Sequence, residues 1–552
     1  MERSGLPTQP VLTGAAPTSQ ARRGGVPGWP AAVAGAVAAG LAIGVAELFA
    51  GLVGGAPSLV IAIGSLVIDL QPPGAKDAFV SLFGTNDKLA LNVLVVLVAI
   101  AVAAAAGSLA ARRWWWGAAV FIGFGAVGCI AALREPLISP ALAIANSVLA
   151  VGVGLAALRT LVRLGPTRSE VASTGSRGAV ASGEGRTRPS AGSTMPDWDR
   201  RRFLIASAGT LGGAIVAGSL GRVLVDAQHP TGVVSTSRLP IALQSVPQLT
   251  PDQILSTPGL TPLVMPNDRF YRIDTALLVP QVDVSTWKLD IKGMVDRPFT
   301  LSYDELLTLP LFEQYVTIAC VSNRVGGDLV GNALWTGVRL KDLLEMAGVQ
   351  AGATQVVGRS VDDFTVGFPT AWAMAPEREP MVAVGMNRDL LPADHGYPAR
   401  LIVPGLYGYV SATKWLRSIE LTTREAVDGY WVPLGWAKDA PILTQSRIDI
   451  PTNGDEIAVG PVAVAGVAWA PDRGIAKVEV RFDDGEWQNA PISRPISNAT
   501  WVQWLVQWTA TAGRHSIEVR ATDGTGDVQT AEMSDPPPDG ARGHHRIFVT
   551  AF

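Results

Sequence analysis

The chain has 552 residues, a formal net charge of -3 and 16% charged residues, with a mean hydropathy of +0.28. That length calls for several domains, and that hydropathy points to membrane-spanning segments rather than an ordinary soluble enzyme. Its two cysteines, Cys129 and Cys320, exclude a disulfide framework and a four-cysteine metal site. The lack of a basic block with interleaved aromatics argues against a nucleic-acid partner.

In chain order, residues 1–29 read as a cytoplasmic tail. Apolar runs come next at Pro30–Ala50, Leu89–Ala111, Trp114–Leu133 and Ala141–Leu158, each near the roughly 20 residues that cross a hydrocarbon core. Arg22 and Arg23 precede the first run, Arg112 and Arg113 follow the second, and Arg159, Arg163 and Arg168 follow the fourth. The positive-inside rule puts all three clusters in the cytoplasm. Four crossings satisfy that pattern only if the shorter run Pro57–Leu70 does not span, so it is read as re-entrant or interfacial. Residues 30–164 are thus expected to form an α-helical membrane bundle.

Residues 165–199, rich in Gly, Ser, Thr and Arg, read as a flexible cytoplasmic linker. In residues 200–226, Arg200, Arg201 and Arg202 precede Phe203-Leu204 and a weakly apolar run. This reads as an anchor helix that starts inside. It resembles a twin-arginine export signal, although any membrane helix with a basic cytoplasmic flank shares these features. The chain beyond this helix is expected outside. That makes it a multi-pass protein of the cell membrane with an extracytoplasmic C-terminal region.

Within that region, "WKLDIKGMV", "ARLIVPG", "VAVAGVAWA", "AKVEVRFD" and "HSIEVRATD" alternate or run apolar between turn residues and predict strands. Short helices are expected at Tyr303–Leu307 and Leu340–Ala347. A break near Leu443–Pro451 divides an α+β domain, residues 240–440, from an all-β immunoglobulin-like sandwich, residues 441–552.

Cys320 stands in "VTIACVSNRVGG" at the end of a strand-like run. A lone cysteine is a small buried hydrophobe, a nucleophile with a His partner, or a thiolate on a soft metal, and spacing leaves all three open. Gly326 and Gly327 suit a loop that closely approaches a ligand. Downstream, "LPADHGYPARLIVPGLYGYVSATKW" gathers His395, Arg400 and Lys414, a set suited to phosphate or another anion.

Together, "TPLVMPNDRFYRIDTALLVP", "VTIACVSNRVGGDLVGNALWTGVRLKDLL" and "LPADHGYPARLIVPGLYGYVSATKWL" resemble the sulfite oxidase family of molybdopterin enzymes, in the family's order. The resemblance runs from about Leu260 to the end, and "VGPVAVAGVAWAPDRGIAKVEVRFDDGEWQNA" resembles the family's dimerisation domain. It implies a molybdenum-molybdopterin cofactor with Cys320 as the metal-binding thiolate. It implies cofactor contacts at Asn267, Phe270, Tyr271, Arg272, Ser360, His395, Arg400, Ala412, Thr413 and Lys414, with Arg272 and Arg324 also on the substrate side. A homodimer through the C-terminal domain is implied too.

Two departures bear on the substrate. A second Arg found after the Asn-Arg pair in vertebrate and plant sulfite oxidases is Val325 here, and a Tyr near their metal corresponds to Val384. Losing a cation and a phenol weakens the case for sulfite and leaves an S- or N-oxide open. Among the first 228 residues there is no histidine, and no CxxCH occurs, so no haem is expected and electrons need a separate partner. The alternative to an enzyme is a decayed membrane-anchored binding or assembly module on the same fold.

Overall fold

The computed structural model describes residues 28–72, 82, 87–164, 197–230, 232 and 238–552. The expected tail, up to residue 27, and linker residues 165–196 lie outside them. The chain divides into two compact units. One comprises Met1–Val45, Val96–Ala126 and Val148–Ser219, and the other Ala46–Val95, Val127–Ser147 and Leu220–Phe552.

The apolar runs form helices α1 (Gly28–Leu52), α2 (Leu59–Leu70), α3 (Asp87–Arg112), α4 (Trp114–Leu133), α5 (Pro140–Leu164) and α6 (Asp197–Gln228). All except α2 are long and apolar enough to cross a membrane by length and composition. The 12 residues of α2 rise only about 18 Å, short of a hydrocarbon core of about 30 Å. Ser58 caps α2: its Oγ accepts from the amide of Ile61 at 3.3 Å and donates to Glu47 Oε1 at 2.8 Å. The Gly and Ala content of these helices has a packing reason. A Cβ on Gly35 of α1 would collide with the backbone of Ala103 and Gly107 of α3, and one on Gly107 would collide with Ala31. Only small residues allow so close an approach. In the second unit, Gln228 Nε2 at the end of α6 donates to the Gly51 carbonyl in α1 at 2.6 Å.

From residue 238 onward, strands dominate. One mixed sheet has the order β2-β1-β10-β5-β6, built from β1 (Lys288–Gly293), β2 (Phe299–Ser302), β5 (Gln355–Ser360), β6 (Thr365–Pro369) and β10 (Leu416–Thr422). The second comprises β3 (Leu311–Ala319), β4 (Val330–Arg339), β7 (Met381–Met386), β8 (Asp389–Leu390) and β9 (Arg400–Ile402), with β9 paired to β7. One core of buried apolar side chains joins the two sheets. Helices α7 (Tyr303–Thr308) and α8 (Leu340–Ala347) fall where sequence periodicity predicts them. A Ser302–Glu305 capping box opens α7, and Leu340, Leu343, Leu344 and Ala347 of α8 are buried.

The expected break at Leu443–Pro451 is largely a strand, β11 (Gln445–Ile450), paired with β13 (Gly460–Trp469). Its Gln, Ser, Arg and Asp content disguises it, because Gln445, Ser446, Arg447 and Asp449 hydrogen-bond or ion-pair instead of packing as apolar groups. Two sheets share a second core: β11-β13-β16, and β12-β18-β17-β14-β15. The remaining strands are β12 (Glu456–Ile457), β14 (Ile475–Phe482), β15 (Gln488–Ala490), β16 (Val502–Ala510), β17 (Gly513–Asp523) and β18 (His545–Ala551).

The loop before β16 locks this two-sheet region to β3. The Ala499 carbonyl accepts from the Thr317 amide at 2.9 Å, and Thr317 Oγ1 accepts from the Trp501 amide at 2.8 Å. Fully buried Trp501 donates its Nε1–H to the Leu263 carbonyl at 2.7 Å. Trp501→Ala is expected to cost about 3–5 kcal/mol through the cavity it leaves, read as a lowered midpoint in denaturant unfolding of the solubilised protein.

Candidate active site

β3 is buried along most of its length and delivers Cys320 just past its last residue. The loop from Cys320 to Leu329 closes on itself. The Cys320 amide donates to the Leu329 carbonyl at 2.9 Å, and Asn323 Oδ1 accepts from the Leu329 amide at 2.9 Å. The glycine pair serves this closure rather than a ligand. Gly326 has φ of +76°, and a Cβ there would strike His545; one on Gly327 would lie 2.5 Å from Asn323 Oδ1. Neither glycine lines the pocket that Cys320 faces.

Four segments meet Cys320 around that pocket. Phe270, Tyr271, Ile273, Asp274 and Thr275 form one wall, and Ser360, Asp362 and Phe364 at the end of β5 form another. Arg400, Ala412 and Lys414 come from around β9 and the short helix α10 (Gly408–Ser411), which follows α9 (Thr370–Ala373) in the chain. Tyr409, Trp431 and Trp436 add aromatic surface.

Asp274 is the electrostatic centre. Its Oδ1 lies 2.7 Å from Lys88 Nζ, and its Oδ2 lies 3.0 Å from Lys414 Nζ and 3.1 Å from Arg272 Nε. Burial alone would raise its carboxyl, but Lys414, Lys88 and Arg272 override that and hold it well below the usual carboxylate range. Burial pulls Lys414 down to about 8 against the opposing charge of Asp274. Lys414 Nζ also donates to the Asp394 carbonyl at 2.9 Å.

Arg400 is buried, and burial lowers it to about 10. Its Nη1 donates to the His395 carbonyl at 2.9 Å, and its guanidinium lies 5.1 Å from the Trp335 ring centroid. His395 is pulled down to about 4 by burial and by the Lys414 charge, so it is a neutral imidazole at pH 7. It donates Nε2–H to the Asn267 carbonyl at 2.9 Å, and Phe270 packs edge-on against it at 5.6 Å. Burial and the nearby Cys320 push the Tyr271 phenol well above its ordinary value, so it stays protonated.

Of the residues expected from sequence, Phe270, Tyr271, Cys320, Ser360, Arg400, Ala412 and Lys414 line this pocket. Asn267, His395 and Thr413 stand behind the lining, and Arg272 joins it only through Asp274. Arg324 is exposed and does not line it. Val384 lies fully buried inside β7 and outside the lining, whose aromatic groups are Phe270, Tyr271, Phe364, Tyr409, Trp415, Trp431 and Trp436. Sequence reasoning missed Asp274, two residues past Arg272, and the aromatic loop "GYWVPLGW", whose density of rings among glycine and proline was a usable signal. Lys88, 186 residues from Asp274, carried no signal at all.

The donor set suits an anionic cofactor. Arg400 Nε and Thr413 Oγ1 are buried donors without a hydrogen-bond partner among the described residues, and His395 Nδ1, the acceptor nitrogen of its neutral ring, is unpartnered too, a costly state unless a ligand or water completes them. The cations Lys88, Arg272, Arg400 and Lys414 gather about the carboxylate of Asp274, and with Asp362 as the other carboxylate of the lining they leave an excess that phosphate would neutralise. A soft thiol sits in the same pocket.

Residues 276–431 match the profile of the oxidoreductase molybdopterin binding domain. The chain is 29% identical over 349 residues to mitochondrial sulfite oxidase of Homo sapiens, across 55% of this chain and 62% of that protein. It is 28% identical over 320 residues to NADH nitrate reductase 1 of Oryza sativa subsp. japonica, across 46% of this chain and 35% of that one. The globular region therefore carries a molybdopterin-binding oxidoreductase domain similar to that of the sulfite oxidases. The chain spans 62% of the length of the human relative. The solved sulfane dehydrogenase SoxCD of Paracoccus pantotrophus aligns at 22% identity and a TM-score of 0.45, over 55% of this chain and 82% of that one.

Within this sulfite oxidase-type domain, Asp274→Asn leaves buried cations without a counter-charge and is expected to cost about 3–5 kcal/mol at pH 7. The folded carboxyl titrates below the unfolded one, so its contribution is complete above about pH 5 and fades as pH falls below about 4. Unfolding curves of wild type and variant should therefore be far apart at pH 7 and converge in acid.

Proposed function

We propose that this chain is a membrane-anchored molybdopterin-dependent oxidoreductase, with its catalytic domain on the outer face of the cell membrane. The observation that carries this reading is the pairing, in one pocket, of the Cys320 thiol with buried cations and unmatched donors. Lys414 and Arg400 would hold the cofactor's phosphate, backed by Thr413, with Arg272 and Lys88 held nearby by Asp274. Ser360 and Ala412 contact the pterin, and the Cys320 thiolate binds molybdenum. When bound, the cofactor supplies two-electron oxygen-atom transfer.

The rest of the chemistry falls to side chains. His395 and Asn267 fix each other and, through Phe270, set the wall that carries Tyr271. The protonated Tyr271 can donate a hydrogen bond to a substrate oxygen. The two cations of the lining, Arg400 and Lys414, are committed to the cofactor anion, and the remaining wall is aromatic. That division favours an uncharged S- or N-oxide over sulfite as the small-molecule substrate.

The arginine clusters flanking α1, α3 and α5 support the assigned orientation. Arg200–Arg202 ahead of an apolar helix support a twin-arginine-like anchor. The two-sheet region from Gln445 onward is read as the immunoglobulin-like domain, with a homodimer as its consequence. With no histidine among the first 228 residues, haem has no bis-imidazole site in the bundle, and electrons come from outside the chain.

Protein purified from cells that make the cofactor should contain close to one molybdenum and one pterin per chain, measured by elemental analysis and pterin fluorescence. Cys320→Ser should retain the fold by circular dichroism and lose dye-coupled reduction of methionine sulfoxide. Wild-type protein without molybdenum would sink the reading.

A further inference from the structure

The second unit contains a cavity of about 780 Å³ that neither the cofactor nor the small substrate uses. One wall is apolar and comes from α2 and the ends of span-length helices, including Ala50, Leu66, Ala131 and Leu137. The facing wall comes from Thr275–Gln281 and residues 362–364. Thr275, Asp362 and Phe364 line the Cys320 pocket as well, so the two spaces share a partition.

The polar groups along that partition suit a ring bearing two oxygens. His229 donates Nδ1–H to the Val279 carbonyl at 2.9 Å, which leaves Nε2 free to face the cavity. Burial raises the Glu135 carboxyl, with Ser65 opposing and the charges of Asp362 and Asp69 adding to the rise. Asp362 is likewise raised, first by burial. Tyr430 donates to Asp69 Oδ1 at 3.0 Å across the cavity's edge. The lining carries Asp69, Glu135, Asp362 and Asp363 against a single arginine, Arg134, a balance that repels a phospholipid headgroup. The volume is that of a small-molecule site, and the apolar wall suits a hydrocarbon tail.

We propose that this cavity binds a lipid-soluble quinone, its ring beside His229 and Glu135 and its tail along α2. The inference rests on the oxidoreductase reading above. A quinol becomes a quinone by losing two electrons and two protons, and an S- or N-oxide takes up the same two electrons and two protons to release water. Glu135 and the His229 imidazole stand where those protons leave the ring.

The test titrates full-length protein in nanodiscs with a decyl-chain benzoquinone and naphthoquinone, followed by tryptophan fluorescence. Wild type should bind with one-to-one saturation. His229→Ala and the cavity-filling Leu137→Trp should each weaken binding by about tenfold or more, the equivalent of one lost hydrogen bond or contact. Val148→Trp, at an exposed position outside the cavity, should leave it unchanged. Partitioning without saturation, or saturation unaffected by both cavity variants, overturns the proposal. So does a co-purified phospholipid that wild type retains and Leu137→Trp loses. Molybdenum content is measured separately on the same samples, so failure of quinone binding and failure of the oxidoreductase reading are distinct results.

Discussion

A buried carboxylate must find a counter-charge or take up a proton, and Asp274 stays charged by meeting three cations. The arrangement does more than neutralise one charge. It draws Lys414 to the pocket wall, ties the segment that carries Phe270 and Tyr271, and leaves the neighbourhood with surplus positive charge. A site built this way has a strong electrostatic preference before any ligand arrives, because the cations are held by the protein and not by solvent.

Cys320 depends on a different kind of support. It comes after a strand whose inner neighbours are packed to exclusion of solvent, and that strand is pinned from outside by the Trp501 loop. The thiol is therefore placed by residues that never touch the pocket. The tight loop beyond it, closed by Asn323 and two glycines, turns the chain back into β4 and gives the pocket only Val321 and Ser322 at its start.

How much of this is legible in the amino-acid sequence depends on how local the cause is. Span-length helices, α8 and the cysteine-to-lysine order of the site are written in contiguous residues, and sequence reasoning finds them. β11 escapes it, because polar side chains conceal a strand behind turn-like composition. Motif position points Val384 at the pocket, whereas sheet pairing buries it in β7. Asp274 lies in a motif that sequence reasoning does notice, yet its importance arises only when Lys88 and Lys414 converge on it. The glycine pair suggests a ligand close by, although the group it approaches is His545 from β18. Apart from the aromatic loop, whose composition is itself a local signal, each of these misses involves a partner far away in sequence, which no local pattern encodes.

The contact between Lys88 and Asp274 also counts membrane crossings. Two groups 2.7 Å apart cannot face opposite sides of a bilayer, so if the helices between them cross one, they do so an even number of times. Four helices of spanning length lie there, α3 to α6. The bond from Gln228 to Gly51 sets the same condition on a stretch that includes α2 as well. Were α2 to cross, the total would be odd and the two ends would face opposite compartments. If α3 to α6 all cross, parity leaves α2 no crossing of its own, in keeping with its 12 residues.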